Sequence, residues 1–346
     1  MTEEEKLIHP IGEANEKSPF GSLLEEEFYA RHSVSHSSEY ITNARGMKLF
    51  TQSWIPLPPK KILGIVAVVH GYTGESSWFV QLTSILIAKS GFSTCAIDHQ
   101  GHGFSEGLRN HIPHINPVVD DCISFFDSFR SQHPSSLPSF LYSESLGGAI
   151  ALLIHLRGKN TNTCKSWDGV VLNGAMCGVS DKIKPPWPLE HFLSLAAALM
   201  PTWQIVPTRG TIVELSFKEE WKRKLAMASP RRSPGRPRAA TAKELLRVSS
   251  ELQGKFEEVD LPLLIVHGKD DLVCDPACVE ELYRRASSKD KTLRIYPDML
   301  HQIVGEPQEN VDLVFGDVVD WLRDRSGAEP QVAAPPPSPP PPPVSA

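Results

Sequence analysis

The chain has 346 residues, of which 40% are hydrophobic and 22% are charged, a composition that is ordinary for a globular protein. Its formal net charge of -6 at pH 7 gives no electrostatic support for binding nucleic acid. The acidic start lacks the features of a signal peptide, and no apolar run reaches the ~20 residues of a membrane helix. Six scattered cysteines without a CxxC pair favour reduced thiols. We therefore expect a cytoplasmic protein.

The ends of the chain differ in composition from its centre. Residues 1–35 are predicted to be a polar, loosely attached N-terminal extension, and residues 36–326 to be the folded domain. Residues 327–346 are rich in proline, which fixes φ and removes hydrogen-bond donors, so we expect an extended, disordered tail. A ligand for an aromatic-lined groove is the alternative for this tail.

The central part alternates between strands and helices. In chain order we predict the strands "KLFTQSWI" and "GIVAVVH", a helix over 78–89, the strand "FSTCAID", the helix "PVVDDCISFFDSFRSQ", the strand "PSFLYS", the helix "LGGAIALLIHLR", the strands "WDGVVLNGA", "LPLLIVHG" and "KTLRIYP", and a helix over 307–325. The apolar runs are typical of strands that are buried on both faces. This alternation predicts an α/β fold with a mostly parallel central sheet and helices on both faces.

One region, at about 178–252, contains helical patterns and breaks but no strand runs. We predict an inserted helical cap over the carboxyl edge of the sheet, where open α/β sheets bind their ligands. An ordinary run of surface helices is the alternative. The basic run "WKRKLAMASPRRSPGRPR" in this region suggests peripheral contact with an anionic membrane. The alternative is that this run is only a solvent-exposed edge of the cap. Phosphorylation of Ser229 or Ser233, which both precede proline, would cancel positive charge there.

The stretch "LYSESLGG" lies where a buried strand turns into a helix. A nucleophile on such a turn needs small residues two places before and after it, because larger side chains would collide. Ser145 has Ser143 and Gly147 at those places. If Ser143 were the nucleophile, the residue two places before it would be Leu141, which is too bulky. Ser145 is therefore the better candidate.

A serine nucleophile needs a histidine base and a carboxylate that orients the base. The segment "LPLLIVHGKDDLVCDP" offers Asp270, Asp271 and Asp275 just after a strand. Further along, His301 lies in the loop before the last helix. Both loops follow strands of a parallel sheet, so they emerge at the same edge as Ser145, in the order Ser, acid, His.

Two loops offer backbone N–H donors for the oxyanion. Leu146 begins the helix after the nucleophile, and Tyr72 lies in "HGYTGESSW", after the first buried strand. His70 is a second candidate base, but its place directly before a glycine favours a role in shaping this loop.

Other motifs do not point to a cofactor or a metal. "DHQGHGFSEG" lacks the third glycine of a dinucleotide fingerprint, and His99 and His102 within it are predicted to be hydrogen-bonded loop residues. Cys274 and Cys278 are one helical turn apart, without the second pair that a zinc site needs. We expect no metal, no organic cofactor and no nucleic-acid partner.

Taken together, "HGYTGESSW", "DHQGHGFSEG", "SESLGGA", "HGKDDLVCDP" and "LHQIVGE" resemble the α/β-hydrolase superfamily, and more narrowly the monoacylglycerol lipase and lysophospholipase group, especially its plant members. The resemblance spans about residues 40–325, including "KPPWPLEHFL". It implies Ser145 as nucleophile, Asp271 as acid and His301 as base. Tyr72 and Leu146 would be the oxyanion donors.

This sequence departs from the group at two positions. Ser143 replaces the first glycine of the elbow. Glu144 occupies the position at which the animal enzyme of this group has histidine near the polar head of its substrate, so the headgroup contacts do not transfer directly.

The resemblance implies a small-molecule ester as substrate. The leading hypothesis is a serine hydrolase that cleaves monoacylglycerols or lysolipids through an acyl-enzyme. One alternative is an aromatic esterase, since the plant group is also similar to caffeoylshikimate esterase. The other is a hydrolase-fold receptor with vestigial activity. This alternative is less favoured, because such receptors often lose a member of the triad and all three predicted members are present here.

Overall fold

An eight-stranded sheet forms the centre of the computed structural model, which describes residues 7–161, 166–179, 189–204, 212–231 and 236–327. Its strands are β1 (Val34–Thr42), β2 (Lys48–Pro56), β3 (Gly64–Val69), β4 (Phe92–Ile97), β5 (Ser139–Glu144), β6 (Gly169–Asn173), β7 (Leu263–Gly268) and β8 (Lys291–Tyr296). They lie in the order β1-β2-β4-β3-β5-β6-β7-β8. β2 pairs antiparallel with β1 and β4, and all other pairs are parallel. The predicted, mostly parallel sheet is confirmed.

Helices cover both faces of this sheet. They are α1 (Glu25–Arg31), α2 (Val80–Lys89), α3 (Asn116–Ser131), α4 (Leu146–Thr161), α5 (Leu189–Leu199), α6 (Ile212–Ser216), α7 (Glu220–Ala228), α8 (Ala239–Gln253), α9 (Pro276–Arg285) and α10 (Gln308–Asp324). One buried cluster joins the sheet to α3, α4, α8 and α9, and the other joins it to α1, α2, α7 and α10. Every residue of β3, β4, β5, β6 and β7 is buried, as expected for strands between two helical layers.

The N-terminal segment is packed against the domain, so the prediction of a loose attachment is wrong for residues 7–33. The side chains of Ile11 and Phe28 are fully buried in the cluster with α2 and α10. The N–H of His9 donates to Asp312 Oδ1 at 2.8 Å, and Tyr29 Oη donates to Gln81 Oε1 at 2.9 Å. A few apolar residues among many charged ones are enough to bury this segment, because they meet an apolar face. Residues 1–6 lie outside the described residues.

The region predicted as a cap contains α5, α6, α7 and most of α8, and no strand within its described residues. Trp78 Nε1 donates to the carbonyl of Leu225 at 2.9 Å, and Lys222 Nζ donates to the carbonyl of Glu306 at 2.5 Å. These two bonds join α7 to the sheet domain. The boundaries 178–252 stay a prediction, since residues 180–188, 205–211 and 232–235 lie outside the described residues. The same holds for Ser233 and for the proline-rich tail beyond residue 327.

In the described part of the chain, no helix combines the length and the apolar character that crossing a membrane requires.

Candidate active site

Ser145 lies on a tight turn between β5 and α4. Its φ is +53°, in the left-handed region that non-glycine residues rarely adopt and that a nucleophile elbow uses. A Cβ on Gly147 would lie 2.1 Å from the carbonyl oxygen of Val69, so only glycine fits there. Ser143 occupies the other elbow position and donates its hydroxyl to the carbonyl of Val171 at 2.9 Å. The serine that replaces the usual glycine is therefore accommodated, with its polar group satisfied.

The structure brings His301 and Asp271 together at the carboxyl edge of the sheet. His301 Nδ1 donates to Asp271 Oδ2 at 2.7 Å, and both side chains are buried. The other carboxylate oxygen, Oδ1, accepts the N–H groups of Val273 at 2.7 Å and Cys274 at 2.9 Å. His267 Nε2 also lies 3.1 Å from Oδ2. The carboxylate is thus fixed, and it holds the imidazole by its Nδ1 side.

The electrostatics of Asp271 favour the ionised form. Burial alone would raise the pKa of its carboxyl group. The charge of His301 and the hydrogen bonds from His267 and His301 outweigh burial and hold that pKa well below its usual range. Asp271 is therefore a carboxylate at neutral pH and can stabilise a positive charge on the imidazole.

The serine and the imidazole flank one backbone turn at the end of β6. The N–H of Ser145 donates to the carbonyl of Asn173 at 3.1 Å. The next residue, Gly174, packs against the imidazole, since a Cβ there would lie 3.4 Å from His301 Nδ1. Its φ of +54° also favours glycine. The turn that carries Ser145 and the imidazole of His301 therefore both contact the chain at the end of β6.

Cys274 is a neighbour of this site that the sequence analysis did not identify. Burial raises the pKa of its thiol well above the usual value, which keeps it neutral, although the nearby side chain of Ser145 acts to lower that pKa. Asp271, Cys274 and His301 offer ligand atoms within 4.8 Å of one another. Both oxygens of Asp271 already accept N–H bonds, so a cation bound there would have to displace the bond from His301.

The loop after β3 touches the elbow directly. A Cβ on Gly71 would lie 2.9 Å from Ser145 Cβ, so the backbone of this loop approaches the serine closely. Tyr72, the predicted oxyanion donor, comes next and anchors its hydroxyl on the carbonyl of Asn110 at 3.2 Å. The other predicted donor, Leu146, is the first residue of α4 and is fully buried.

His70 holds this loop in place. Its Nδ1 donates to the carbonyl of Gly71 at 2.8 Å, because its Nε2 accepts the N–H of His99 at 3.0 Å. Burial lowers the pKa of His70 to about 4, so the ring is neutral at physiological pH. His102 bonds the carbonyl of Gln100 through Nδ1 at 3.0 Å. Both nitrogens of His70 are engaged, which suits a structural role.

The fold and this site define a serine hydrolase of the α/β-hydrolase type. Residues 60–308 match the Hydrolase_4 family, described as "Serine aminopeptidase, S33", and the chain belongs to that family. Caffeoylshikimate esterase of Arabidopsis thaliana is 33% identical over 308 residues, which cover 88% of this chain and 91% of that protein. Monoglyceride lipase of Homo sapiens is 27% identical over 300 residues, or 86% of this chain and 93% of that protein.

A solved structure shares the same fold. A soluble variant of monoglyceride lipase from Saccharomyces cerevisiae, in complex with a substrate analog, superposes with a TM-score of 0.74. It is 22% identical and covers 85% of this chain and 96% of its own. The predicted α/β-hydrolase fold, and the predicted resemblance to monoacylglycerol lipases and caffeoylshikimate esterase, are confirmed.

Proposed function

We propose that this carboxylic ester hydrolase cleaves monoacylglycerols or similar lysolipids with Ser145, His301 and Asp271 as its triad. The supporting observation is the buried 2.7 Å hydrogen bond from His301 to Asp271, at the edge where Ser145 occupies its left-handed turn. Relatives named monoacylglycerol lipase and monoglyceride lipase support the lipid substrate. The relative named caffeoylshikimate esterase supports the alternative, an aromatic ester.

In the proposed mechanism Ser145 Oγ attacks the ester carbonyl carbon and His301 takes the hydroxyl proton. Nε2 is the accepting nitrogen, since the proton on Nδ1 is bound to Asp271. Asp271 fixes this tautomer and stabilises the imidazolium. The N–H groups of Tyr72 and Leu146 receive the negative charge of the oxyanion, and each such donor is typically worth about 2.7–4 kcal/mol.

The tetrahedral intermediate then collapses. The bond from the carbonyl carbon to the alcohol oxygen breaks, His301 protonates the leaving alcohol, and the acyl group stays on Ser145. A water molecule gives its proton to His301 and attacks the acyl-enzyme. The fatty acid leaves and the proton returns to Ser145. All steps use groups of this chain, without a metal or an organic cofactor.

The choice between lipid and aromatic esters is tested by kcat/KM for 2-monooleoylglycerol and caffeoylshikimate, measured side by side. We expect the monoacylglycerol to be preferred by about tenfold or more, because each methylene buried beneath a cap contributes about 0.8 kcal/mol. The reverse ratio would assign the enzyme to the aromatic esters and leave its triad mechanism unchanged.

We also propose that the enzyme is cytoplasmic and docks peripherally on membranes through the cap. The five described cysteines are free thiols, as is usual in a reducing compartment. One side of α5 and the turn after it expose Phe192, Leu195, Leu199 and Trp203, each more than half exposed. Exposed basic residues of the run that follows in the chain, such as Arg231, would add about 1 kcal/mol each near anionic lipid.

Sedimentation with liposomes tests the docking. Vesicles of phosphatidylcholine with phosphatidylserine are expected to retain the protein better than phosphatidylcholine alone, and Leu199→Ser to weaken binding about tenfold. The matched control is Leu24→Ser, since Leu24 is 71% exposed but lies in the N-terminal segment. Equal loss in both variants, or no dependence on phosphatidylserine, would contradict docking through the cap.

A further inference from the structure

A buried glutamate supports the loop that carries His301. Glu306 lies at the end of this loop, just before α10, and is 0% exposed. Its Oε1 accepts the N–H of Leu300 at 2.7 Å, and Leu300 immediately precedes His301. Burying a carboxyl group is unfavourable, and a hydrogen bond from the backbone offsets only part of the loss of hydration. The presence of such a group beside the proposed base calls for a physical reason.

The backbone before His301 follows a turn that needs support. Asp298 has a φ of +58°, in the left-handed region that non-glycine residues rarely adopt. The carbonyl of Met299 accepts the N–H of Asp270 at 3.0 Å, which ties the turn to the loop after β7. The hydrogen bond from Leu300 to the buried glutamate fixes the next residue. Together these two bonds hold the chain on the N-terminal side of the proposed base.

The same loop is bonded to the region predicted as a cap. Lys222 Nζ of α7 donates to the carbonyl of Glu306 at 2.5 Å, and Lys218 Nζ donates to the carbonyl of Asp298 at 2.6 Å. Lys218 Nζ also lies 3.7 Å from Glu306 Oε2. Two backbone hydrogen bonds continue this contact, from Gln302 to Ser216 and from Glu219 to Gly305. The glutamate therefore lies where α7 meets the loop of the proposed base.

We infer that Glu306 is a positioning residue, which fixes the loop of His301 for proton transfer from Ser145 and joins that loop to α7. The inference rests on the proposed function, in which His301 is the base. Asp271 orients the imidazole through Nδ1, but a bond to the ring does not by itself fix the backbone. A displacement of about 1 Å at a reacting group can lower the rate about 100-fold. Loss of this support should therefore lower kcat and leave substrate binding almost unchanged.

Three substitutions separate the charge of Glu306 from its hydrogen bond. Glu306→Gln keeps an oxygen that can accept the N–H of Leu300, so kcat on p-nitrophenyl acetate is expected to stay within about threefold of the wild type. Glu306→Asp keeps the charge but withdraws both oxygens by one methylene, and kcat is expected to fall about tenfold. Glu306→Met keeps the length and has no oxygen, and kcat is expected to fall about 100-fold. KM is expected to change by less than about twofold in all three, because no contact to the substrate is removed.

Glu244→Met is the matched control. Glu244 is 4% exposed, its Oε1 accepts the N–H of Ile115 at 2.8 Å, and its Oε2 accepts Arg247 Nε at 2.7 Å. Its bond supports the start of α3, which carries no residue of the proposed triad. Glu244→Met is therefore expected to lower Tm about as much as Glu306→Met does, and to keep kcat within about threefold of the wild type. Active sites are counted with a fluorophosphonate probe, so that kcat refers to folded enzyme.

Unchanged kcat in folded Glu306→Met would overturn the inference. Equal losses in Glu306→Gln and Glu306→Met would also overturn it, and so would an equal loss in Glu244→Met. If Glu306→Met does not fold, Glu306→Asp provides the comparison, and a wild-type kcat in that variant would contradict the inference. Failure of the proposed function has a different signature. In that case the wild type itself neither hydrolyses the ester nor reacts at Ser145 with the probe, and the role of Glu306 falls with it.

Discussion

Ser145→Ala is expected to lower kcat for 2-monooleoylglycerol by about 10⁶-fold, the scale found when a serine nucleophile is removed. The reason is that the proposed mechanism depends on Oγ of Ser145 as the attacking atom, and alanine has no hydroxyl. The residual rate would come from the oxyanion donors and from substrate binding. Single-turnover hydrolysis and labelling with a fluorophosphonate probe measure the effect together.

The matched control is Ser143→Ala, two residues away on β5 and equally small. Ser143 bonds a backbone carbonyl, so its loss removes a structural hydrogen bond and leaves the nucleophile in place. Labelling is expected to persist in Ser143→Ala and to vanish in Ser145→Ala. Labelling that persists in Ser145→Ala would remove this serine from the mechanism. A folded wild type that never labels would instead favour a hydrolase-fold receptor.

Asp271→Asn is expected to lower kcat by about 10⁴-fold with little change in folding. An amide at this position can donate to Nδ1, which stabilises the tautomer that carries its proton on Nε2. That imidazole cannot accept the proton of Ser145. The substitution also removes the negative charge that offsets the imidazolium, as the low pKa of Asp271 reflects. Pre-steady-state kinetics of acylation measure the loss at the affected step.

Asp270→Asn separates the two neighbouring aspartates. Asp270 is exposed, and its N–H donates to the carbonyl of Met299. Asp275, the third candidate in the sequence, accepts the N–H of Ala277 at 3.0 Å as the N-cap of α9. Asp270→Asn is expected to keep kcat within about threefold of the wild type, as for a surface change. A larger loss in Asp270→Asn than in Asp271→Asn would reverse the assignment of the acid.

The parallel strands of the fold were predictable because burial on both faces demands continuous apolar runs. The edge strand β1 was not predicted, since most of its residues are exposed and polar. Its pairing with β2 is set by tertiary structure rather than by its own composition. The burial of the N-terminal segment was missed for a related reason, because its buried apolar residues, such as Ile11 and Phe28, are few and lie among polar and charged residues.

The candidate site was predictable where a side chain follows a strand end. Ser145, Asp271 and His301 all have that position, and parallel strands bring such ends to one edge. The bonds that link Tyr142, Glu144 and Asn173 could not be predicted, because they depend on the register between β5 and β6. The proximity of Cys274 to Ser145 depends likewise on the path of the loop after β7.

The packing of residues 9–31 on α2 and α10 limits where translation of a functional protein can begin. A translation start within or after this segment would yield a hydrolase domain with an uncovered apolar surface where Ile11, Phe28 and Tyr29 normally lie. Such a product would tend to self-associate during synthesis. Alternative start sites in this part of the transcript are therefore expected to be selected against, although the segment is far in sequence from every proposed triad residue.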